Sequence, residues 1–375
     1  MSVRSTVVAL VVAAATAFAI SSSAAADQGH SATQEAMDAQ VQQAGGAPAV
    51  LGQAQDGGGV WNGASGAADR VTLRPPLAED RFRIGSLTKP FIATVLLQLE
   101  AEEKLDLDDT VERWLPGTVR GSGHDGRRIT LRQLLGHTSG VYDFTADAAV
   151  RRTYFGPLFP RHRYDTHEPA ALVRTAMTHP PAFEPGADWQ YSNTNYVLVG
   201  MVVEKVTGRP YAKEVERRIT DPLGLHDTSL PGTSSVIPGL HGRAYSTLSR
   251  SGPHPPVHDV TTLNPSVAGA SGEMISSTDD LIRFMRALVS GDVLPPRQLG
   301  EMKSTVPADG NSRYGLGLTE RRLSCGTKVW GHEGTIQGSH SVAVTTPDGS
   351  HTAAFNINGD WADGTSALIE AEYCG

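Results

Sequence analysis

Residues 83–90 read Arg-Ile-Gly-Ser-Leu-Thr-Lys-Pro and open a strongly apolar run. Positions three apart share one face of a helix, so the Lys89 amine can reach the Ser86 hydroxyl without help from distant parts of the chain. Pro90 falls in the first helical turn, where a missing N–H costs little. The stretch predicts a serine nucleophile with its own base at the positive end of a helix. The stripe that would bury this helix is Ile92, Val95, Leu96 and Leu99.

The composition is that of an ordinary globular protein. Charged residues make up 19% and hydrophobic residues 39% of the 375 positions, a balance that fits neither a disordered chain nor a membrane-embedded one. The formal net charge of -8 argues against nucleic acid as a partner, because phosphate binding needs clustered Lys and Arg. The length suggests about two domains, and nothing in the sequence indicates more than a monomer.

The first 26 residues have the pattern of an export signal. Arg4 precedes an apolar stretch from Val7 to Ile20, and Ala24-Ala25-Ala26 follows as a small-residue cleavage site before Asp27. An uncleaved anchor is the alternative, but the apolar stretch is short of the ~20 residues that span a bilayer. We therefore expect a signal peptide at 1–26 and a secreted, extracellular product without a stable membrane anchor.

The two cysteines, Cys325 and Cys374, fit that compartment. A pair tends to form a bridge in an oxidising environment, whereas two free thiols are the expectation in a cytosolic protein. We predict a disulfide that ties the C-terminal helix, through Cys374, to the strand that carries Cys325.

Strand patterns crowd both ends of the chain, and the middle is helical and rich in loops. Hairpin signals join strands 49–54 and 60–64, and again 341–345 and 351–357. This order predicts an α/β protein of the α+β type, with one antiparallel sheet from both chain ends, flanking helices and an inserted, mainly helical domain. The sequence also predicts helices at 31–43 and 364–373 and long loops at 150–170 and 231–266.

We place the sheet domain at 27–85 and 270–375 and the mainly helical domain at 86–269. The candidate site would lie at their interface, because Ser86 stands at the first boundary.

Two further segments carry candidate chemistry. Tyr191-Ser192-Asn193 precedes the apolar helix 196–206, so a phenol and an amide are presented from a short loop. A lysine, a tyrosine and an asparagine in one cleft supply proton transfer and carbonyl orientation. The second segment, 331–335, reads Gly-His-Glu-Gly-Thr, and its glycines permit a substrate backbone to approach a strand closely.

Other signals are set aside. The glycines at 121–126 match a dinucleotide pattern, but no strand leads into them, so a flexible turn is predicted. His332-Glu333 lacks the second histidine of a zinc protease, and no metal or cofactor is expected. The chain has no Gly-x-Ser-x-Gly elbow, which excludes the α/β-hydrolase nucleophile. His137 is expected to brace a helix end rather than to catalyse.

With these motifs the chain resembles the serine penicillin-binding enzymes and class C β-lactamases, and within them the secreted D-alanyl-D-alanine carboxypeptidases. Three motifs stand in the family's order: Ser86-Leu87-Thr88-Lys89, Tyr191-Ser192-Asn193 and His332-Glu333-Gly334. The resemblance runs from about Thr33 to Gly375. The matching flanks are residues 80–86, 134–140, 191–195, 314–318 and 323–326.

The resemblance implies an acyl-enzyme on Ser86, with a D-Ala-D-Ala-terminated peptide or a β-lactam as the acyl donor. Lys89 and Tyr191 would handle the protons, and the sequence leaves open which of them is the base in each step. Asn193 and His332 would bind substrate. The backbone N–H groups of Ser86 and Thr335, beside Gly334, would form the oxyanion hole.

Two departures concern the substrate. The family's carboxypeptidases place an arginine after Tyr-Gly-Leu-Gly-Leu, where this chain has Thr319, so Arg321 or Arg322 would have to serve instead. Glu333 stands where a small hydroxyl residue is usual. The alternatives to a carboxypeptidase are therefore a β-lactamase or small-ester hydrolase on the same scaffold, and a non-catalytic penicillin-binding sensor.

Overall fold

The computed structural model describes residues 29–249, 255–362 and 364–375, so the predicted signal segment 1–26 lies outside the described residues. The strands are β1 Ala49–Asp56, β2 Gly59–Gly66, β3 Phe82–Arg83, β4 Arg120–Gly121, β5 His124–Asp125, β6 Tyr245–Ser246, β7 His258–Asp259, β8 Ile275–Ser276, β9 Val306–Pro307, β10 Ser312–Tyr314, β11 Thr319–Arg322, β12 Lys328–Ile336, β13 Ser339–Thr345 and β14 Thr352–Ile357.

The helices run between and around these strands. They are α1 Ser31–Gln42, α2 Thr88–Ala101, α3 Val111–Trp114, α4 Leu131–Leu135, α5 Ala148–Tyr154, α6 Phe159–His162, α7 Pro169–Ala176, α8 Asn193–Thr207, α9 Tyr211–Val215, α10 Asp221–Leu223, α11 Thr278–Ser290, α12 Pro296–Met302 and α13 Thr365–Cys374. In the part of the chain that the structure describes, none of them is both long and apolar enough to cross a membrane.

Within the described ranges, eight strands form one antiparallel sheet in the order β2-β1-β14-β13-β12-β11-β10-β9. The sheet joins segments from the two ends of the chain, because β1 pairs with β14 from Val50 opposite Ile357 to Gln55 opposite Thr352. The predicted fold class is confirmed, and both predicted hairpins form as β1–β2 and β13–β14 with slightly different bounds.

The sheet is covered on both faces. Alternate residues of β13 point to opposite sides, so Val342 and Val344 pack with Met37 of α1 and Leu368 of α13. Ala343, on the other side, joins the larger core built around α2, α8 and α11. That larger core holds the buried helix that follows Ser86, so the sheet and the helical part meet at the nucleophile.

The segment 150–170 is not the predicted loop, because it contains most of α5, all of α6 and the start of α7. Helix α5 begins where the Asp147 side chain accepts hydrogen bonds from the backbone N–H groups of Ala149 and Val150. A proline stands in the first turn of α6 and of α7, a position that favours helix initiation. The expectation failed because these helices are too short to show a hydrophobic period.

The second predicted loop, 231–266, is mostly irregular. Its exceptions are the two short strands β6 and β7 and a 3-10 turn, and residues 250–254 lie outside the described ranges. The predicted turn at 121–126 contains parts of the paired strands β4 and β5. The domain boundaries at 85 and 270 stay a prediction.

Candidate active site

Ser86 lies in a 3-10 turn, Gly85–Leu87, that runs directly into α2. Gly85 has a φ of +52°, and a Cβ there would come within 2.8 Å of the Thr335 backbone. A glycine is therefore needed at this position both for the left-handed conformation and for the close approach of β12. The turn leaves the Ser86 side chain half-buried at the surface of a cavity.

Lys89 lies in the first turn of α2 with its side chain fully buried. Its Nζ is 2.9 Å from Ser86 Oγ, as the spacing predicts. Two more oxygens surround the nitrogen: Asn193 Oδ1 at 2.8 Å and the Ser271 carbonyl oxygen at 2.8 Å. Both of these can only accept hydrogen bonds.

Burial lowers the pKa of Lys89 to about 7, against the opposing effect of the Asp143 charge. A neutral amine has two N–H groups and one lone pair. When the two N–H groups donate to Asn193 and Ser271, the lone pair faces the Ser86 hydroxyl. The arrangement is that of a general base poised near neutral pH.

Tyr191 comes from the loop before α8, and its ring centre lies 4.7 Å from Lys89 Nζ. Burial, and next the neighbouring Tyr314, raise the pKa of Tyr191 well above its usual range, with the Ser86 hydroxyl close enough to temper the rise. Its hydroxyl oxygen is shielded from solvent and finds no partner of good hydrogen-bond geometry within the described residues. Tyr191 is thus held as a phenol, able to donate a proton.

His137 braces the loop that carries Tyr191, whereas the sequence predicts that it braces a helix end. It follows α4 with a φ of +59° and a fully buried ring. Its Nδ1 accepts from the Ser192 backbone N–H at 3.2 Å and lies 3.1 Å from Asn195 Nδ2. Its ring centre is 4.3 Å from that of Tyr191. The strained turn therefore supports the tyrosine directly.

The third motif lies on β12, at the part of the strand that β11 does not cover. β11 pairs only as far as Gly331, whereas β13 pairs through Ile336. A Cβ on Gly334 would come within 2.0 Å of the Ile84 oxygen and 2.6 Å of the Ser86 nitrogen. Because residue 334 is a glycine, this edge of β12, with Thr335, can lie against the backbone N–H of Ser86.

His332 is buried on this strand and is neutral. Burial, and next the Lys89 charge, lower the pKa of His332 to about 3. Its Nε2 lies 2.9 Å from the Tyr314 hydroxyl, and its Nδ1 lies against the Glu333 carbonyl oxygen. His332 thus lines the site without a charge of its own.

Asn193, predicted to donate to the substrate, has its side-chain amide engaged by residues of another loop. Its Nδ2 donates to Asp143 Oδ2 at 3.2 Å and to Thr145 Oγ1 at 3.2 Å. Because an amide nitrogen has two hydrogens, these two contacts engage both of them. In this arrangement Asn193 holds Lys89, and its role toward a substrate stays a prediction.

A cavity of about 410 Å³ opens beside Ser86 and is bordered by Tyr191, His332, Gly334 and Thr335. Further along the same cavity lie Thr319, Arg321 and Glu333, and also Asp309, Trp189 and Tyr314. Arg321 Nη2 is 3.7 Å from Glu333 Oε2, and its Nη1 donates to Ser366 Oγ at 3.1 Å. Arg322 does not border the cavity.

The structure joins Cys325 and Cys374 with an S–S distance of 2.00 Å. Cys325 lies in a turn and not on a strand as predicted, since β11 ends at Arg322 and β12 begins only at Lys328. Among the described residues, no group of three or more His, Cys, Asp or Glu side chains could hold a metal ion.

Sequence reasoning missed three residues that shape the site. Ser271 contributes only a backbone oxygen, so its side-chain type carries no signal. Asp143 resembles an ordinary helix cap, since it also accepts from the Thr145 N–H at 3.1 Å. Tyr314 stands in a flanking segment of the family resemblance, and its contact with His332 depends on the placement of β10 and β12 in one sheet.

Comparison with known proteins fits this geometry. The family model described as Beta-lactamase matches residues 33–368. Penicillin-binding protein 4* of Bacillus subtilis (strain 168) is 28% identical over 319 residues, which cover 81% of this chain and 67% of that protein. Esterase EstB of Burkholderia gladioli is 31% identical over 275 residues, 68% of each chain.

Solved structures extend the likeness. A D-stereospecific amidohydrolase from Streptomyces sp. is 55% identical with a TM-score of 0.86, over 92% of this chain and 99% of that one. The D-amino acid amidase from Ochrobactrum anthropi SV3, complexed with L-phenylalanine, is 29% identical with a TM-score of 0.79, over 91% and 97% of the two chains. With the family model matching most of its length, the chain belongs to the β-lactamase family of serine hydrolases, which includes penicillin-binding proteins.

Proposed function

We propose that this chain is a D-stereospecific amidohydrolase that forms an acyl-enzyme on Ser86. The single observation that supports this reaction best is the 2.9 Å contact of Lys89 Nζ with Ser86 Oγ, in surroundings where burial lowers the pKa of Lys89 to about 7. A nucleophile, a base of matched pKa and a cavity at the same point are the parts that acyl transfer requires.

The reaction would proceed in two halves. Ser86 Oγ bonds to the substrate carbonyl carbon while its proton passes to Lys89, and the N–H groups of Ser86 and Thr335 hold the oxyanion. The C–N bond then breaks as Tyr191 gives its proton to the leaving nitrogen and takes one back from Lys89. Water deacylates the enzyme by the same steps in reverse, with the acid released from Ser86.

The substrate class is inferred from the cleft and from the neighbours. Thr319 offers no charge, and Arg321 and Glu333 form an ion pair with each other, whereas Asp309 adds a further carboxylate to the same cavity. Such a cleft suits a substrate with a free amine and an uncharged amide better than one with a terminal carboxylate. Of the two solved neighbours, one is a D-stereospecific amidohydrolase and the other a D-amino acid amidase.

The test compares D- and L-phenylalanine amide with wild type and Ser86→Ala. We expect ammonia release from the D-amide at a kcat/KM far above that for the L-amide, and none from Ser86→Ala. Equal rates for the two enantiomers, or no turnover of either by folded wild type, would overturn the proposal.

A D-alanyl-D-alanine carboxypeptidase is the second candidate, favoured by the position of Arg321 on the cavity. It would release D-alanine from a D-Ala-D-Ala peptide and be acylated by a β-lactam. Mass spectrometry of the protein with penicillin, and separately with the peptide, decides: rapid D-alanine release supports a carboxypeptidase. A short-lived penicillin adduct supports a β-lactamase, and hydrolysis of a small ester alone supports an esterase.

A persistent penicillin adduct without turnover of any of these substrates would indicate a sensor instead.

We also propose that the chain acts as a monomer outside the cell after loss of residues 1–26. N-terminal mass mapping of the protein from culture medium should begin at Asp27. An N-terminus at Met1 in a cell-bound product would contradict this, and size-exclusion chromatography with light scattering checks the monomer.

A further inference from the structure

The carboxylate of Asp143 is tied to the catalytic lysine through one amide side chain. Asp143 Oδ1 accepts from the Asn193 backbone N–H at 3.2 Å, and Oδ2 accepts from Asn193 Nδ2 at 3.2 Å. On the other side of the same amide, Asn193 Oδ1 accepts from Lys89 Nζ at 2.8 Å. Asp143, Asn193 and Lys89 therefore form a continuous chain of hydrogen bonds ending at Ser86.

This chain fixes which end of the Asn193 amide faces the lysine. A carboxylate only accepts, so the Asn193 NH₂ group must turn toward Asp143. Thr145 closes the arrangement, because its hydroxyl donates to Asp143 Oδ2 at 2.8 Å and accepts from Asn193 Nδ2. The amide oxygen is thereby left pointing at Lys89.

We propose that Asp143 is a positioning residue that orients the base of the reaction through Asn193. With the amide oxygen fixed, one Lys89 N–H is held by Asn193 and another by the Ser271 carbonyl. The lone pair of the neutral amine then faces Ser86. The inference rests on the proposed acyl transfer from Ser86, but it does not depend on which acyl group is transferred.

The charge of Asp143 affects the pKa of Lys89 as well as its orientation. The other titratable groups facing Lys89 are two tyrosines, Tyr191 and Tyr196, whose ring centres lie 4.7 and 5.5 Å from Nζ, and the buried His137 and His332. Burial lowers the pKa of each histidine and raises that of each tyrosine, so all four stay uncharged near neutral pH. Asp143 raises the pKa of Lys89 against the effect of burial, so its loss should let that pKa fall further.

The test replaces Asp143 and follows the pH profile of a simple ester. In Asp143→Asn one acceptor becomes an NH₂ group facing Asn193 Nδ2, so the Asn193 amide turns and presents a donor to Lys89. With p-nitrophenyl acetate as the probe, we expect the plateau of kcat/KM to fall roughly ten- to a hundredfold. The acid limb should move about one pH unit lower.

Two variants keep this test decisive. Asp147→Asn is the matched control, because Asp147 also caps a helix but pairs with His179 at 2.9 Å. We expect it to keep the wild-type limb and plateau. Asp143→Glu retains the charge, so its limb should stay near wild type while its plateau falls. A wild-type limb in folded Asp143→Asn, or a wild-type plateau in Asp143→Glu, would overturn the inference.

The ester separates this inference from the proposed substrate class. Failure of D-phenylalanine amide turnover, with the predicted limb shift present on the ester, would remove the amidohydrolase and leave Asp143 in its role. Stereoselective amide hydrolysis with no shift of the acid limb in Asp143→Asn would support the amidohydrolase and overturn the role of Asp143.

Discussion

The Tyr314 hydroxyl donates a hydrogen bond to His332 Nε2 over 2.9 Å. The direction follows from the other ring nitrogen, because Nδ1 lies against the Glu333 carbonyl oxygen, which can only accept. Nδ1 therefore carries the proton, and Nε2 is left as the acceptor. A tyrosine from β10 thus fixes the tautomer of a histidine on β12.

A first prediction concerns stability in acid. The pKa of His332 is about 3 in the folded protein and about 6.5 in an unfolded chain. The unfolded state therefore binds one more proton between these values, and the free energy of unfolding falls with decreasing pH by about 1.4 kcal/mol per unit. The unfolding free energy, measured by urea denaturation between pH 6.5 and 4.5, should therefore change less steeply with pH in His332→Gln than in wild type, by about that amount per unit. An unchanged slope would show that His332 is not buried in neutral form.

A second prediction concerns the pH dependence of catalysis. Since Lys89 acts as the neutral base and burial places its pKa at about 7, kcat/KM for p-nitrophenyl acetate should rise tenfold per unit up to that pH and then level off. The raised pKa of Tyr191 should keep the plateau flat to about pH 10. Lys89→Arg should lose roughly 10² to 10⁴ in rate, because a guanidinium stays protonated. A pH-independent rate between pH 5 and 9 contradicts this assignment.

A third prediction tests the contact between β12 and the nucleophile. In Gly334→Ala the new Cβ would collide with the backbone at Ile84 and Ser86. Displacing the strand removes an oxyanion donor, and kcat should fall roughly 10²- to 10³-fold. Gly300→Ala is the control, because its Cβ would meet nothing within 4 Å, and it should keep full activity. Near-normal kcat in Gly334→Ala would show that the strand edge holds no oxyanion.

A fourth prediction concerns recognition of a substrate carboxylate in the cleft. Thr319, on β11, lies opposite Gly331 of β12 and borders the cavity. Thr319→Arg adds a second guanidinium to the cavity that Arg321 borders, so it should raise kcat/KM for a D-Ala-D-Ala peptide relative to D-phenylalanine amide. Thr319→Gln, of similar reach without charge, should leave the ratio unchanged. Equal ratios in both variants would show that carboxylate recognition does not depend on this position.

A fifth prediction concerns the disulfide. Cys325 and Cys374 are separated by 49 positions, and a closed loop of that size stabilises a fold by roughly 4 kcal/mol in the chain-entropy model. Cys325→Ser/Cys374→Ser should therefore lower Tm, while kcat at 25 °C stays near wild type because neither sulfur borders the cavity. The wild type under reducing conditions should follow the variant. An equal Tm in the two proteins would mean that the bridge contributes nothing.

The sequence predicted the elements with a strong period and the groups that are close along the chain. The two terminal hairpins could be predicted because alternating apolar residues and turn residues mark them locally. The helices α1 and α13 were also predictable from their local sequence. The Ser86–Lys89 contact could also be predicted, since one helical turn fixes it.

What the sequence could not predict depends on contacts between distant segments. The contacts of the Asn193 amide could not be predicted, because Asp143 and Thr145 reach it from another loop. The short helices α5 and α6 carry too few apolar residues to show a hydrophobic period, so their sequence predicts a loop instead. The pairing of Arg321 with Glu333 joins two strands whose relative register no local pattern reveals.

The sheet has a consequence for the order of synthesis. β12 borders Ser86, but it takes its place only beside β13, which in turn pairs with β14 near the carboxyl end of the chain. A growing polypeptide that has emerged only to residue 330 already contains the serine and the lysine yet lacks most of the strand that completes them. The nucleophile is therefore expected to stay inert on the ribosome until β13 and β14 have been synthesised and can hold β12 in place.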